Sequence, residues 1–351
     1  GVGAPAVIVS DDEEGVVISG GLESLGTFEL DKNIADSNSP IPWRLNNFRI
    51  DEFRLGDLDI TNTTVSGGSV GDIIEFQLSS DQVDGTVSRK IGGPWVVDID
   101  EIRIPRFGDL GAAESSDTSS FDVIADVGPV DVTVGNVLVT NVDGSINEYG
   151  RWRFELRPHP DGIQFLELNG AIRGIEINSA QEVLWSRSTN RTYFVGRIQG
   201  VELQSVLSRW GFDLNMEAES FVGEGNLDWP GSPLAFSVNK VSGRINSEIN
   251  KGQIVDIEQG RGVARILGLL NYSTIAQRLS GNFSDVISKG VSFNRIHAEL
   301  NLRSGILEFS EPMYVEGNGL LFRVNGTVEL TDGTLDNELV VTLPVSDSLP
   351  W

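Results

Sequence analysis

The dominant period along the chain is two. Phe48-Arg49-Ile50 and Phe53-Arg54-Leu55 alternate apolar with charged residues. Asp98-Ile99-Asp100 does the same, followed by Glu101-Ile102-Arg103-Ile104. The pattern returns in Arg151-Trp152-Arg153-Phe154-Glu155-Leu156 and over residues 320–330. Alternation of this kind predicts strands with one dry and one wet face, because successive side chains point to opposite sides. Turn signals separate the strands: Asp84-Gly85, Asp143-Gly144, Asp161-Gly162, Asn169-Gly170, Asn325-Gly326 and Asp332-Gly333. The prediction is an antiparallel-rich β protein built hairpin after hairpin.

Two stretches carry a helical period instead. Val201 to Trp210 places Val201, Leu203, Val206, Leu207 and Trp210 near one face, with Gly211 able to serve as C-terminal cap. The second runs from Gly262 through Leu270 and resumes at Thr274 to Leu279. An internal repeat also shows. Phe48, Ile50, Phe53, Leu55 and Leu58 recur as Val132, Val134, Val137, Val139 and Val142, each shifted by 84. If that repeat is real, one supersecondary unit is stacked to extend a sheet.

Composition narrows the function classes. The 351 residues hold 51 acids and 26 bases, a net charge of −25. That excess opposes nucleic acid, whose phosphates must be met by Lys and Arg. It also opposes charge-driven docking on anionic membrane. The absence of cysteine excludes disulfides, thiol nucleophiles and Cys-zinc sites, without fixing the compartment. His159 and His297 stand alone, leaving no His-based metal motif. No apolar run reaches the ~18–20 residues that span a bilayer. The chain opens on glycine and reads as a processed or excised piece of something larger, its targeting signals lying elsewhere.

Motifs suggestive of chemistry have plainer readings. Gly67-Gly68-Ser69-Val70-Gly71 fits a nucleophile elbow in letters, but the alternating Asp72 to Leu78 follows where a helix is required. It reads as a hairpin turn. Gly260-Arg261-Gly262-Val263-Ala264-Arg265 lacks the third glycine of a dinucleotide fingerprint. The carboxylate pairs Asp98 with Asp100 and Asp57 with Asp59 share a strand face, as a glycosidase pair would, yet wet-face acids are abundant here. The acidic run Asp11-Asp12-Glu13-Glu14 reads as a solvated loop, since no EF-hand spacing follows. Gly111 to Ser120 reads as an exposed loop. The scattered tryptophans read as packing residues rather than a sugar platform. These patterns support a large, acidic, non-enzymatic β protein with no cofactor and no metal. An extended sheet with a continuous apolar face must cover it with helices, close on itself, or offer it to apolar ligands.

The last third carries a family resemblance. Trp229-Pro230-Gly231-Ser232-Pro233-Leu234-Ala235-Phe236, Ser242-Gly243-Arg244-Ile245 and Lys251 to Glu258 resemble the C-terminal AsmA-like region of the YhdP type. So do Arg265 to Asn271, Gln277-Arg278-Leu279, Asn282-Phe283-Ser284-Asp285 and Lys289 to Ile296. The match is close over 190–351 and looser over 1–190. Asn282 stands where the family more often has Asp, and the charges between Gly260 and Arg265 are unusual for it.

The resemblance implies very long envelope proteins of Gram-negative bacteria, anchored in the inner membrane and reaching the outer one across the periplasm. It implies a mainly β fold: a long, twisted, antiparallel-rich sheet curled into an open apolar groove, taco-like, with two or three short helices. Such proteins are similar to chorein-type bridge-like lipid transfer proteins. The implied activity is movement of phospholipid between the two membranes without catalysis. The implied partners are phospholipid acyl chains, the inner and outer membranes through segments outside this chain, and envelope proteins. The corresponding division is 1–41 as edge strands and loop, 42–200 as a repeated hairpin groove segment, and 201–351 as the AsmA-like C-terminal region.

The apolar phase of the clearest strands then gives the candidate groove lining: Phe48, Ile50, Phe53, Leu55, Val132, Val134, Trp152, Phe154 and Leu156. The alternative for each is a sealed core under a second layer. Two other functions stand beside the conduit: an envelope scaffold with a closed β core, and a glycan-binding or glycan-cleaving β protein.

Overall fold

The computed structural model describes residues 7–12, 15–25, 42–55, 58–105, 127–140, 144–209, 216–237, 239–254, 291–317, 321–330 and 335–342. Their twenty strands belong to one mixed sheet. Two compact units divide the chain: Gly1–Ile172 with Gln181–Thr192 and Pro230–Phe236, and Arg173–Ala180 with Tyr193–Trp229 and Ser237–Trp351.

In the first unit, β1 (Val7–Asp12) and β2 (Gly15–Leu25) form a hairpin, and β2 lies parallel to β3 (Trp43–Leu55). An antiparallel meander follows through β4 (Leu58–Val70), β5 (Ile73–Ser79), β6 (Val83–Lys90) and β7 (Trp95–Pro105). Then β7 pairs in parallel with β8 (Val130–Thr140). β8 pairs antiparallel with both β9 (Ile146–Glu148) and β10 (Arg151–His159). β11 (Gly162–Ile172) pairs with β10 and also with β13 (Val183–Ser186).

In the second unit, β12 (Ile175–Ser179) pairs with β14, whose full span is Arg191–Val201. A further antiparallel meander runs through β15 (Met216–Pro230), β16 (Ser242–Ile254), β17 (Val291–Arg303), β18 (Ile306–Gly317), β19 (Leu321–Glu329) and β20 (Leu335–Thr342). Among the described residues the α-helix is α1 (Leu203–Arg209). Its buried Leu203 and Val206 fit the predicted amphipathic face. Val201, expected on that face, instead ends β14 and is 68% exposed. The second predicted helix lies outside the described residues.

The strands read as alternation predicts, but the two parallel joins break the run of hairpins. Three turn signals also fall inside strands. Asp84-Gly85 lies in β6 opposite a bulge at Asp100 of β7, Asn169-Gly170 lies in β11 and Asn325-Gly326 lies in β19. Gly326 keeps a φ of 142°, closed to ordinary side chains, within a strand. Asp161-Gly162 does form its turn, between β10 and β11.

A second feature interrupts the period of two. On β7, Ile99 and Ile102 are both turned inward, with Asp100 and Glu101 between them. Val134 and Val137 repeat this on β8 across Gly135 and Asn136, and Ile60 and Thr63 on β4 across Thr61 and Asn62. In the second unit Phe293 and Ile296 do the same on β17, opposite Gly252 and Ile249 on β16 and Ala218 and Phe221 on β15. Neighbouring strands therefore change phase at matching positions. Because both paired strands change phase at the same level, their register is kept while the later side chains move to the other alternation.

Candidate functional site

Residues directly opposite in a ladder share a face, so the register assembles the apolar side of the first unit row by row. The first row runs Trp43, Ser69, Ile74, Arg89, Trp95, Val130, Leu156, Phe165 and Val183 across β3 to β13. The second runs Leu45, Gly67, Phe76, Val87, Val97, Val132 and Phe154. The third runs Phe48, Val65, Leu78, Gly85, Ile99, Val134, Trp152 and Gly170. Beyond the phase change, Val83, Ile102 and Val137 continue the face, then Ile104 with Val139.

The opposite side of the same strands is mostly polar, with Ile73 and Val96 the exposed apolar side chains on it. Glu75, Gln77, Asp98 and Asp100 are exposed. Arg157 lies there too, 2.7 Å from Asp131 and 2.6 Å from Glu155, with its guanidinium also donating to the Val130 carbonyl. A sheet wet on one side and dry on the other is the expected consequence of the sequence alternation.

Phe48, Ile50 and Val134 are buried, each 8% exposed. Phe48 and Ile50 cluster with Val65, and Val134 with Ile99, Val137 and Val139. Val132, Trp152, Phe154 and Leu156 are half-buried. Trp152 donates its indole N–H to the Tyr149 carbonyl at 2.9 Å, and the rings of Phe154 and Phe165 sit 5.7 Å apart. Phe53 and Leu55 lie on β3, with side chains outside the described residues. Six of the nine candidates thus fall in the registered rows of the apolar side, and Ile50 packs beside Phe48 in the same cluster. The sequence reading missed the middle of that side: Ile74, Phe76 and Leu78 on β5, Val87 on β6, and Val97 and Ile99 on β7. Their alternation, in Ile73-Ile74-Glu75-Phe76-Gln77-Leu78 for example, was the available signal.

The second unit repeats the design. Phe221, Ile249, Ile296 and Val315 form one row, and Gly225, Ile245, Leu300 and Phe309 another. Leu203 and Leu207 of α1 pack into the same cluster as Met216, Ala218 and Phe293.

Residues with catalytic potential are arranged otherwise. Gly67 to Val70 end strand β4, paired with β5, and only Gly71 enters the turn that follows, so the motif is the end of a strand rather than the turn expected. The Gly260 to Arg265 motif, Asp57 and the Asp11 to Glu14 run are partly or wholly outside the described residues. The β10–β11 turn does bring His159, Asp161 and Ser186 together. However, Ser186 donates its hydroxyl to Asp161 at 2.7 Å, and the Asp161 backbone N–H donates to His159 Nδ1 at 3.1 Å. A serine nucleophile needs the histidine as its proton acceptor. Here the carboxylate takes the hydroxyl, and Ser188 adds backbone and hydroxyl donors at 3.0 Å each. The Ser186 hydroxyl, then the Ser188 donors, hold Asp161 below the ordinary carboxylate range. The cluster is a staple between two turns. Among the described residues no group of acids or histidines is arranged to hold a metal ion, and no helix is long and apolar enough to cross a membrane.

The family model described as YhdP protein matches residues 12–351. The chain belongs to the YhdP family. It is 24% identical over 156 residues to the Intermembrane phospholipid transporter YhdP of Escherichia coli (strain K12). That match covers 44% of this chain and 12% of the relative's length. No solved structure matches the chain. YhdP membership accords with the resemblance carried by the C-terminal motifs and with a mainly β architecture.

Proposed function

We propose that this chain is a segment of a lipid conduit, in which the apolar rows shield phospholipid acyl chains during transfer between the inner and outer membranes, without chemistry. The observation that carries the reading is the registry of apolar side chains and glycines in the second and third rows, which run from β3 to β10 and from β3 to β11. Exposed acyl chain costs ~0.8 kcal/mol per CH₂ in water, and shielding it requires continuous apolar lining rather than hydrogen-bond specificity. The phospholipid transport named for the Escherichia coli relative supports lipid as cargo. The corresponding location is the periplasm of a Gram-negative bacterium, with both membranes reached through segments outside this chain and with envelope proteins as further partners. Phe48, Ile50, Phe53, Leu55, Val132, Val134, Trp152, Phe154 and Leu156 are assigned to the lining.

A second reading, a closed scaffold module, is favoured by the low exposure of Phe48, Ile50 and Val134. Native mass spectrometry with lipid extraction, on chain purified without detergent, separates the two. Co-purified phospholipid that is lost in the Phe53→Asp, Phe154→Asp double variant supports the conduit. A lipid-free mass, with no uptake from labelled liposomes, favours the scaffold.

A further inference from the structure

The three rows differ in chemistry. The second and third contain only aliphatic and aromatic side chains and glycine. The first, at the margin formed by the β4–β5 and β6–β7 hairpins, holds Trp43, Ser69, Arg89 and Trp95. Arg89 carries the only charge in these rows. Its guanidinium carbon stands 5.5 Å from the centre of the Trp95 ring, and its Nε donates to the Gly93 carbonyl at 3.1 Å. No carboxylate meets it among the described residues, whereas the adjacent Lys90, on the wet side, is paired with Asp72 at 3.3 Å. One cation is therefore tethered at the edge of a dry face, in a chain of net charge −25.

We propose that Arg89 receives the phosphate of a bound phospholipid, with the acyl chains lying over the second and third rows. This rests on the conduit reading above. A guanidinium presents five N–H donors in a planar fork suited to phosphate oxygens, and stacking on an indole leaves its edge available. Tryptophan beside the cation matches the usual placing of amphipathic rings at the level where headgroup meets chain.

The test compares phosphatidate with diacylglycerol bearing the same two acyl chains, each delivered from nonionic detergent micelles to the 351-residue chain. The parent chain retains phosphatidate about tenfold better, the value of one charge-assisted contact. Arg89→Gln lowers phosphatidate retention to the diacylglycerol level and leaves diacylglycerol unchanged. Arg89→Lys, which keeps the charge and loses the fork, retains part of the preference. An equal fall in both lipids assigns Arg89 to packing and overturns the proposal, as does an unchanged preference in Arg89→Gln. Displacement of phosphatidate by millimolar inorganic phosphate, down to the Arg89→Gln level, identifies a free-phosphate site and overturns the lipid assignment. Retention of both lipids without preference sinks this inference alone. Retention of neither sinks the conduit reading with it.

Discussion

Gly170 lies directly opposite Trp152 in the β10–β11 register, and a Cβ at Gly170 would come within 2.8 Å of the Trp152 ring. The indole thus lies across the neighbouring strand in space that only glycine leaves open, held by its bond to the Tyr149 carbonyl. Gly170→Ala is expected to cost about 1–3 kcal/mol through overpacking. Trp152→Ala removes the obstacle, so the Gly170→Ala penalty should vanish in the double variant. A double-mutant cycle on urea midpoints measures the coupling. Additive effects would show that the ring does not need this space.

Asn62 marks the phase change on β4 with a φ of 55°, and its side-chain amide donates to Asp81 at 2.6 Å. A β-branched residue cannot take that conformation cheaply. Asn62→Val is expected to destabilise the chain by about 1–2 kcal/mol. Asn62→Gly keeps the backbone and loses only an exposed hydrogen bond, so its urea midpoint should stay close to the parent's. Equal losses in both variants would trace the effect to the Asp81 bond rather than the backbone.

These phase changes explain what the sequence did and did not disclose. Apolar residues spaced two, three, two occur in Phe48, Ile50, Phe53, Leu55 and in Val132, Val134, Val137, Val139. The same spacing occurs in Val97, Ile99, Ile102, Ile104 and in Val291, Phe293, Ile296, Ala298. The apparent repeat at a shift of 84 is two instances of this signature. Both instances lie on strands, β3 and β8, that run parallel to the strand before and antiparallel to the strand after. Alternation discloses which side of a strand is dry, because side-chain direction is local. It does not disclose partner or direction, so both parallel joins went unseen. Nor does a dipeptide such as Asn169-Gly170 reveal whether its glycine serves a turn or a neighbouring ring. Arg89 was hidden for the same reason: only the β5–β6–β7 register shows that it stands in a dry row.

The β10–β11 turn should confer a specific pH dependence. Asp161 titrates below the usual carboxylate range, chiefly through the Ser186 hydroxyl and the Ser188 donors. A depressed folded-state value means that the ionised form stabilises the fold. That stability is present above the unfolded carboxylate pKa of about 4 and is lost as pH falls through the lower folded value. Asp161→Asn should therefore lower the thermal midpoint at pH 7, and the difference from the parent should shrink as pH falls from about 5 to 3. A pH-independent difference would mean that the carboxylate's charge contributes nothing to the staple.

The two sides of β8 permit a test of the conduit within one dipeptide. Val132 stands in the second apolar row, opposite Val97 and Phe154, while Thr133 points the other way and is exposed. A carboxylate at 132 would lie among acyl CH₂ groups that cannot solvate it; at 133 it would meet water. Val132→Asp is expected to abolish lipid retention from labelled liposomes, and Thr133→Asp to leave it unchanged. Val132→Ala controls for packing, since it loosens the row by two methyl groups while keeping it dry, and should retain most lipid. Lost retention in Val132→Ala as well would trace the defect to the fold. Equal retention in all three would place the acyl chains away from this face, because a charge embedded in their path must register.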